Sequence, residues 1–291
     1  LTLFLQQLVS GISIGSVYAL LAVGYALVYS VFSFTNWAFD AFMVVGAFGA
    51  FYAITDFKLP IPLALLFAIL FTMLVSVFVE RMAYRPLRIR EAPRLFMMIS
   101  AMGANMSIIN IINLQFGGHF RNFPQITGET LSVGGIKIGM MDVFAAVFSF
   151  ITLILLWIFL YRTKMGLGIR ASALDLLTSG IMGINNDMVA IIIFGISGIL
   201  SGVAGVFYGI KYAVFPYLGL VTIKAMIASI IGGLGSLPGA VVGSLLLGIL
   251  ETLVSGYISS EWRDLFTFSL LIIVLLFMPN GLFGKSTKEK L

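Results

Sequence analysis

The feature that most constrains this chain is a succession of long apolar stretches with few charges between them. They run at roughly 3–33, 36–55, 61–84, 95–116, 141–161, 187–213, 219–234, 238–258 and 263–279. A helix needs about 20 mostly apolar residues to cross the hydrocarbon core of a bilayer, and most of these stretches reach that length. Nine spans are therefore expected, within a range of eight to ten. The seventh stretch is short and interrupted by Gly232, Gly233 and Gly235, which predicts a half-helix that re-enters the membrane. The first is long enough to be tilted, or broken near Gly11 and Gly15. A soluble fold is excluded by composition: 60% of the 291 residues are hydrophobic and 10% charged, too few polar groups to coat a water-facing surface. The expected class is an all-α polytopic membrane protein, a bundle of about 8–10 transmembrane helices forming one integral domain over 1–291.

The placement of the basic residues predicts sidedness. Arg81, Arg85, Arg88, Arg90 and Arg94 fall in one connection, Arg162, Lys164 and Arg170 in another, and Lys285, Lys288 and Lys290 in the tail. Connections rich in Lys and Arg stay on the cytoplasmic side. With nine spans the alternation closes, with the N-terminus outside and the C-terminus cytoplasmic. The net charge of +5 thus reflects topology and not nucleic-acid binding. The chain opens at Leu1 without a Met, so a few residues are expected to precede it, and no basic segment marks the first run as a cleaved leader. With no Cys, disulfides, thiolate metal sites and thiol nucleophiles are excluded.

Gly11/Gly15, Gly198/Gly202, Gly205/Gly209 and Gly239/Gly243 repeat a small-xxx-small spacing that lets helix backbones approach closely, chiefly inside the bundle, otherwise at a subunit interface. The external 117–140 segment is the one sizeable polar excursion, and Val133-Gly134-Gly135-Ile136-Lys137-Ile138 within it predicts a short hairpin.

Three strings that resemble catalytic motifs fail on inspection. Gly281-Leu282-Phe283-Gly284-Lys285-Ser286 has Pro279 where a phosphate-binding loop needs glycine. Gly195-Ile196-Ser197-Gly198 would need a base to act as a serine nucleophile, and the only histidine is His119, in an external loop. Gly232-Gly233-Leu234-Gly235-Ser236 follows no strand, as a dinucleotide-binding turn must. No catalytic, cofactor-binding or metal residues are expected.

Ionisable residues inside spans are costly and demand a reason. Asp40 sits near the cytoplasmic start of the second run, where it either lines a polar path beside Asn36 or caps a helix at the interface. Lys224 and Glu251 are placed to pair across the 233–238 hairpin, a structural role. The cytoplasmic segment 162–186 is amphipathic, with Gly183 as its terminator, and suits either a partner's groove or lipid headgroups.

At this point the residues become recognisable. Glu80-Arg81-Met82-Ala83-Tyr84-Arg85-Pro86-Leu87-Arg88 is similar to the Glu-Arg-x-Ala-Tyr-Arg-Pro-Leu-Arg signature of the integral-membrane permeases of ABC importers for branched-chain amino acids, the first of that system's two permease types. Met165-Gly166 through Arg170-Ala171, with Ala173, Asp175 and Met182-Gly183-Ile184-Asn185, resembles that family's ATPase-contacting loop. Gly232-Gly233-x-Gly235-Ser236-x-Pro238-Gly239-Ala240 and Met278-Pro279-x-Gly281-Leu282 resemble two further family strings. One element departs. The family's Asn-Phe-Ala-His-Gly-Glu is replaced by Asn36-Trp37-Ala38-Phe39-Asp40-Ala41, which either shifts the substrate toward apolar or aromatic solutes or repacks a structural corner.

The resemblance implies a half-channel in the bacterial cytoplasmic (inner) membrane for a small organic solute, a branched-chain amino acid or a related apolar compound. The partners it implies are a second, non-identical permease, two cytoplasmic ATPases that hold ATP and Mg, an extracytoplasmic solute-binding protein, and membrane lipid. This subunit itself would bind no cofactor. The segment of about 165–185 would hold the coupling helix, with Gly166, Arg170, Ala171, Ala173, Leu174, Asp175, Gly183 and Ile184 as coupling residues. Arg85, Arg88, Gly233 and Gly235 would support it from the same side, and Asn36, Trp37, Phe39 and Asp40 are candidates for the path. A stand-alone secondary transporter or channel is the alternative.

Overall fold

A computed structural model describes residues 2–124, 130–133 and 136–284. Nine helices occupy the nine apolar runs among these residues: α1 Thr2–Phe32, α2 Phe39–Thr55, α3 Ile61–Val79, α5 Arg94–Phe116, α6 Met140–Arg162, α9 Asn186–Lys211, α10 Leu220–Gly232, α11 Leu237–Tyr257 and α12 Trp262–Phe277. Three short helices lie between them, α4 Arg85–Ile89, α7 Lys164–Leu174 and α8 Leu176–Ile181. Six of the nine are long and apolar enough to cross a bilayer, while α2, α10 and α12 have 17, 13 and 16 residues. At 1.5 Å per residue α10 is about 20 Å long, short of the roughly 30 Å core, and it ends at Gly232 with Gly233 as its cap.

α1 is apolar on every side, and a helix of that kind belongs in the middle of a bundle. It is buried from Gly15 to Val28 and packs on α6, α9, α10 and α11, while α2, α3 and α9 form a second layer. The first run is not broken at Gly11 and Gly15. Both glycines face α11, where a Cβ on Gly11 would stand 2.7 Å from the Ile249 Cα and one on Gly15 3.0 Å from the Leu245 Cα. The other small pairs also act inside the chain. Gly198 faces Met73 and Ser76 of α3, Gly205 the Met43 carbonyl of α2, and Gly243 the Ala228 carbonyl of α10. Close backbone approach takes the place of the hydrophobic drive that lipid does not supply between helices.

α3 ends in one wide π-turn, Glu80–Tyr84, before α4. The amide of Arg85 reaches back five residues to the Glu80 carbonyl, and Pro86, which has no N–H, begins the next turn. The expected hairpin is present as β1 Thr130–Val133 and β2 Ile136–Gly139, antiparallel with Val133 opposite Ile136. Its Gly134-Gly135 turn and the tail lysines Lys285, Lys288 and Lys290 lie outside the described residues. After α12 the chain folds back, and Leu282 and Phe283 donate their amides to the carbonyls of Ile231 and Gly232, so two of the recognised strings pack on each other.

Candidate functional site

The end of the bundle that carries the 80–94 and 162–185 connections, here the basic face, holds most of the residues singled out in the sequence. Thr163 caps α7 by accepting from the Gly166 amide at 3.0 Å. Gly166 has no room for a side chain, because a Cβ there would stand 2.4 Å from the carbonyls of Phe159 and Leu160. Its lack of one lets α7 turn tightly off the end of α6. Arg170 lays its guanidinium over the Tyr161 ring, 4.7 Å from the centroid. Ala171 is half-buried, and Ala173 and Ile184 are half-buried against the core.

The coupling segment is two helices and not one. Asp175, with extended backbone, breaks it and caps α8: its Oδ1 accepts from the amides of Leu177 and Thr178 at 2.9 and 3.1 Å, and its Oδ2 from the Thr178 hydroxyl. The Thr178 hydroxyl first, then these amides, hold the carboxyl below the usual aspartate range. Gly183, at φ +89°, closes α8 as its sequence position predicted. The amide of Ile184 reaches the Ser179 carbonyl and that of Gly183 the Gly180 carbonyl, a double bond pattern that needs left-handed backbone at Gly183. On and beside this capped helix Leu174, Leu177, Ile181 and Met182 are 79–88% exposed, a cluster of large apolar side chains on a face built for water or headgroups. Patches of that kind mark a contact surface.

Arg85 and Arg88 both reach Asp187, at the start of α9 and two residues past the end of this segment. Arg85 donates through Nε and Nη2 to Oδ2 at 3.1 and 3.0 Å, and Arg88 through Nη2 to Oδ1 at 2.7 Å. The other Arg88 nitrogen lies 2.9 Å from Glu80, which is fully buried. One string thus ties the π-turn, α4 and α9 together through charge. Gly233 and Gly235 hold positive φ, as a tight turn requires. A Cβ on Gly233 would meet Gly284 and Asn280, and one on Gly235 would meet Ser30 and Tyr29.

The four path candidates lie at a junction inside the bundle. Phe39 stacks on Tyr25 with centroids 4.3 Å apart, and Tyr25 stands about two turns before the end of α1. The segment 33–38 therefore climbs back, and α2 begins in the membrane interior. Asp40 confirms the depth by accepting from Asn105, at the midpoint of α5, at 3.3 Å. The same carboxylate lies against Gly219, just before α10, and fills the space a Cβ there would need. Two half-helix N-termini, those of α2 and α10, thus face one carboxylate, which their dipoles favour. Asp40 is accordingly not at the interface. Asn36 and Phe39 are fully buried and line no open path here. Asn36 is a corner post, its Oδ1 accepting from the Ala38 amide at 3.0 Å and the Tyr84 hydroxyl at 2.7 Å. Trp37 and Asp40 are half-buried.

Lys224 and Glu251 do pair, and Lys224 also reaches Asp264 at 2.7 Å while the Tyr18 hydroxyl donates to Glu251 at 2.8 Å. Sequence reasoning missed Asn105, Asp187, Gly219 and Tyr18, and it saw Tyr84 only as part of the Glu80–Arg88 string, without its bond to Asn36. Of the four only Asp187 left a signal, an acidic residue in the first turn after the Asn185 cap.

The chain matches the family profile described as branched-chain amino acid transport system / permease component over residues 7–275. It is 37% identical over 303 residues to the high-affinity branched-chain amino acid transport system permease protein BraD of Pseudomonas aeruginosa, covering 99% of this chain and 98% of that protein. It is 35% identical over 302 residues to the corresponding protein LivH of Escherichia coli, covering 99% and 97%. Among solved structures it resembles a chain of PsaBC from Streptococcus pneumoniae, determined in complex with Fab, with a TM-score of 0.54 over 94% of this chain and 91% of that one. At 16% identity that likeness concerns the fold alone. Near-complete coverage by the curated relatives and by the family profile leaves one assignment: the chain belongs to the family of permease components of branched-chain amino acid transport systems.

Proposed function

We propose that this chain is the transmembrane permease subunit of an ATP-driven importer in a bacterial inner membrane, with its basic face toward the cytoplasm. It forms half of the translocation path for a branched-chain amino acid or a related apolar or aromatic solute. The observation that carries the reading is the exposed apolar knuckle of α8 between two defined caps, in a chain whose full-length relatives are named as transport permeases. One of two cytoplasmic ATPases holding ATP and Mg docks on that knuckle, a second, non-identical permease completes the path and receives the other, and an extracytoplasmic binding protein delivers the solute.

Closure of the ATPases would press on α8. The push passes through Asp187, gripped by Arg85 and Arg88, into α9, and packed helices respond to such a push as rigid bodies. α9 lies against α2, so the motion reaches the junction at Asp40 where the two half-helices meet. Trp37 and Asp40 are the groups there with surface left to offer a solute.

Gentle purification of the tagged chain from its host tests the reading. Co-elution of two ATPases and a second permease, with solute uptake into vesicles that requires ATP, is the expected result. Elution alone, with uptake that persists without ATP, would replace the importer with a secondary transporter.

A further inference from the structure

We propose that the basic face holds one tightly bound anionic phospholipid, with its phosphate at Arg170 and an acyl chain in a lateral cleft between α1, α6 and α11. The cleft has a volume of about 350 Å³ and is lined in part by the exposed side chains of Trp157 and Tyr161. Leu156, Leu160, Val23 and Val241 form its floor and sides, with Trp157 and Tyr161 at its mouth. Apart from the polar tips of those two rings its wall is carbon. It therefore suits a hydrocarbon chain and offers nothing to a soluble solute.

The charge that completes an amphiphile site lies at the same mouth. Tyr161 lines the cleft, and its ring is also the platform on which the Arg170 guanidinium rests. Arg170 itself is half-buried, and its Nε has no hydrogen-bond partner among the described residues. Arg162 and Lys164 are exposed on the same connection. Among the described residues none of the three cations has a carboxylate within ion-pair distance. No acidic residue occurs in 17–30, 143–174 or 234–250, the segments that build the cleft and its mouth. Leu237 and Pro238, the first residues of α11, line the cleft too and bring a positive helix end to the same place. Three cations without a carboxylate partner among the described residues, a helix N-terminus and an adjoining apolar slot match a phosphate joined to an acyl chain. Basic pockets between membrane helices bind anionic headgroups on this principle. Arg170 rests on Tyr161 of α6, so the lipid would brace α7 where it leaves α6.

Trp157 reports on the site directly. With Trp37 and Trp262 replaced by Phe, it is the only tryptophan of the chain, and its emission is read as the difference from the same assembly carrying Trp157→Phe as well. The full-length protein, in the assembly in which it purifies, is placed in phosphatidylcholine nanodiscs containing rising fractions of brominated phosphatidylglycerol, and Trp157 fluorescence is followed. Quenching that saturates at a low mole fraction is expected, with a clear preference over brominated phosphatidylcholine. Each cation removed, by Arg170→Gln or by the exposed Lys164→Gln, should lower that preference about fivefold. Lys164→Gln lies on the surface and leaves the packing intact, so it keeps the test valid if Arg170→Gln disturbs α7. Equal quenching by the two headgroups would reduce the cleft to ordinary lipid contact and overturn the proposal. No quenching by either lipid would overturn it in favour of a second protein helix covering the cleft.

Discussion

A carboxylate that is 3% exposed inside a membrane bundle must either lose its charge or be answered by other charges, and Glu251 is answered. Lys224 pairs with it from α10, the Tyr18 hydroxyl donates to it from α1, and the Arg263 Nε stands 3.8 Å away on α12. Four helices are thereby joined at one point, and α10, too short to be held by its own length, is held by its lysine. Breaking a buried pair by removing one partner costs about 3–5 kcal/mol, whereas replacing both partners with apolar groups of similar size costs far less. Lys224→Met should therefore lower the melting temperature in detergent sharply, and Lys224→Met with Glu251→Leu should recover most of the loss. A double variant as unstable as the sum of the two single ones would mean that the pair is not the unit. This pair was legible in the sequence because each partner is the lone charge in its own apolar run and the two runs are neighbours. Tyr18 was not legible, since it lies 233 residues away and is one hydroxyl among ten tyrosines.

Among the elements, α8 is the most exposed to chemistry, since a helix of six residues has little cohesion of its own and depends on its two ends. Gly183 was readable as the stop because glycine is the ordinary residue for left-handed backbone after a helix. The start was not readable. In the sequence Asp175 reads only as a coupling residue, and both its oxygens also cap the N-terminus of α8. The sequence form, Asp followed three residues on by Thr, carries both the cap and its lock. A carboxyl whose pKa is depressed on folding contributes stability that is present above its ordinary value. That contribution is lost only as pH falls from that value through the lowered one. Asp175 should accordingly titrate below the usual aspartate range when followed by carbon NMR of its carboxyl. Thr178→Val removes the largest cause of the shift and should raise the midpoint toward the ordinary value. An unchanged midpoint would mean that the amides alone hold the charge.

For the molecule as a whole the question is how an event at the basic face reaches the interior. Hydropathy located the nine helices but could not show depth: the sequence leaves Asp40 either in a polar path or at the interface, until the 33–38 segment is seen to climb back toward Tyr25 and bring α2 into the middle of the bundle. The Glu80–Arg88 string was likewise visible as a string, while its partner Asp187 lies about a hundred residues further along and became evident only in the fold. The geometry now gives that string a mechanical role in the proposed importer. Asp187 joins the end of the coupling segment to α9, and α9 is pressed on α2 where Gly46 meets Gly202 and Gly205 meets the Met43 carbonyl. Side chains of Arg85 and Asp187 are 40% and 35% exposed, and pairs as open as this contribute about 1 kcal/mol or less to stability. Asp187→Asn should thus leave folding and assembly intact while it loosens the grip on α9. In proteoliposomes the expected outcome is continued ATP hydrolysis by the partner subunits with several-fold less solute moved per ATP. Arg88→Gln should reproduce that loss of coupling and add a loss of stability, because it also leaves Glu80 buried beside a weaker partner. If Asp187→Asn moves as much solute per ATP as the unaltered protein, the push from α8 enters the bundle elsewhere, through the packing of α7 on α1 and α6.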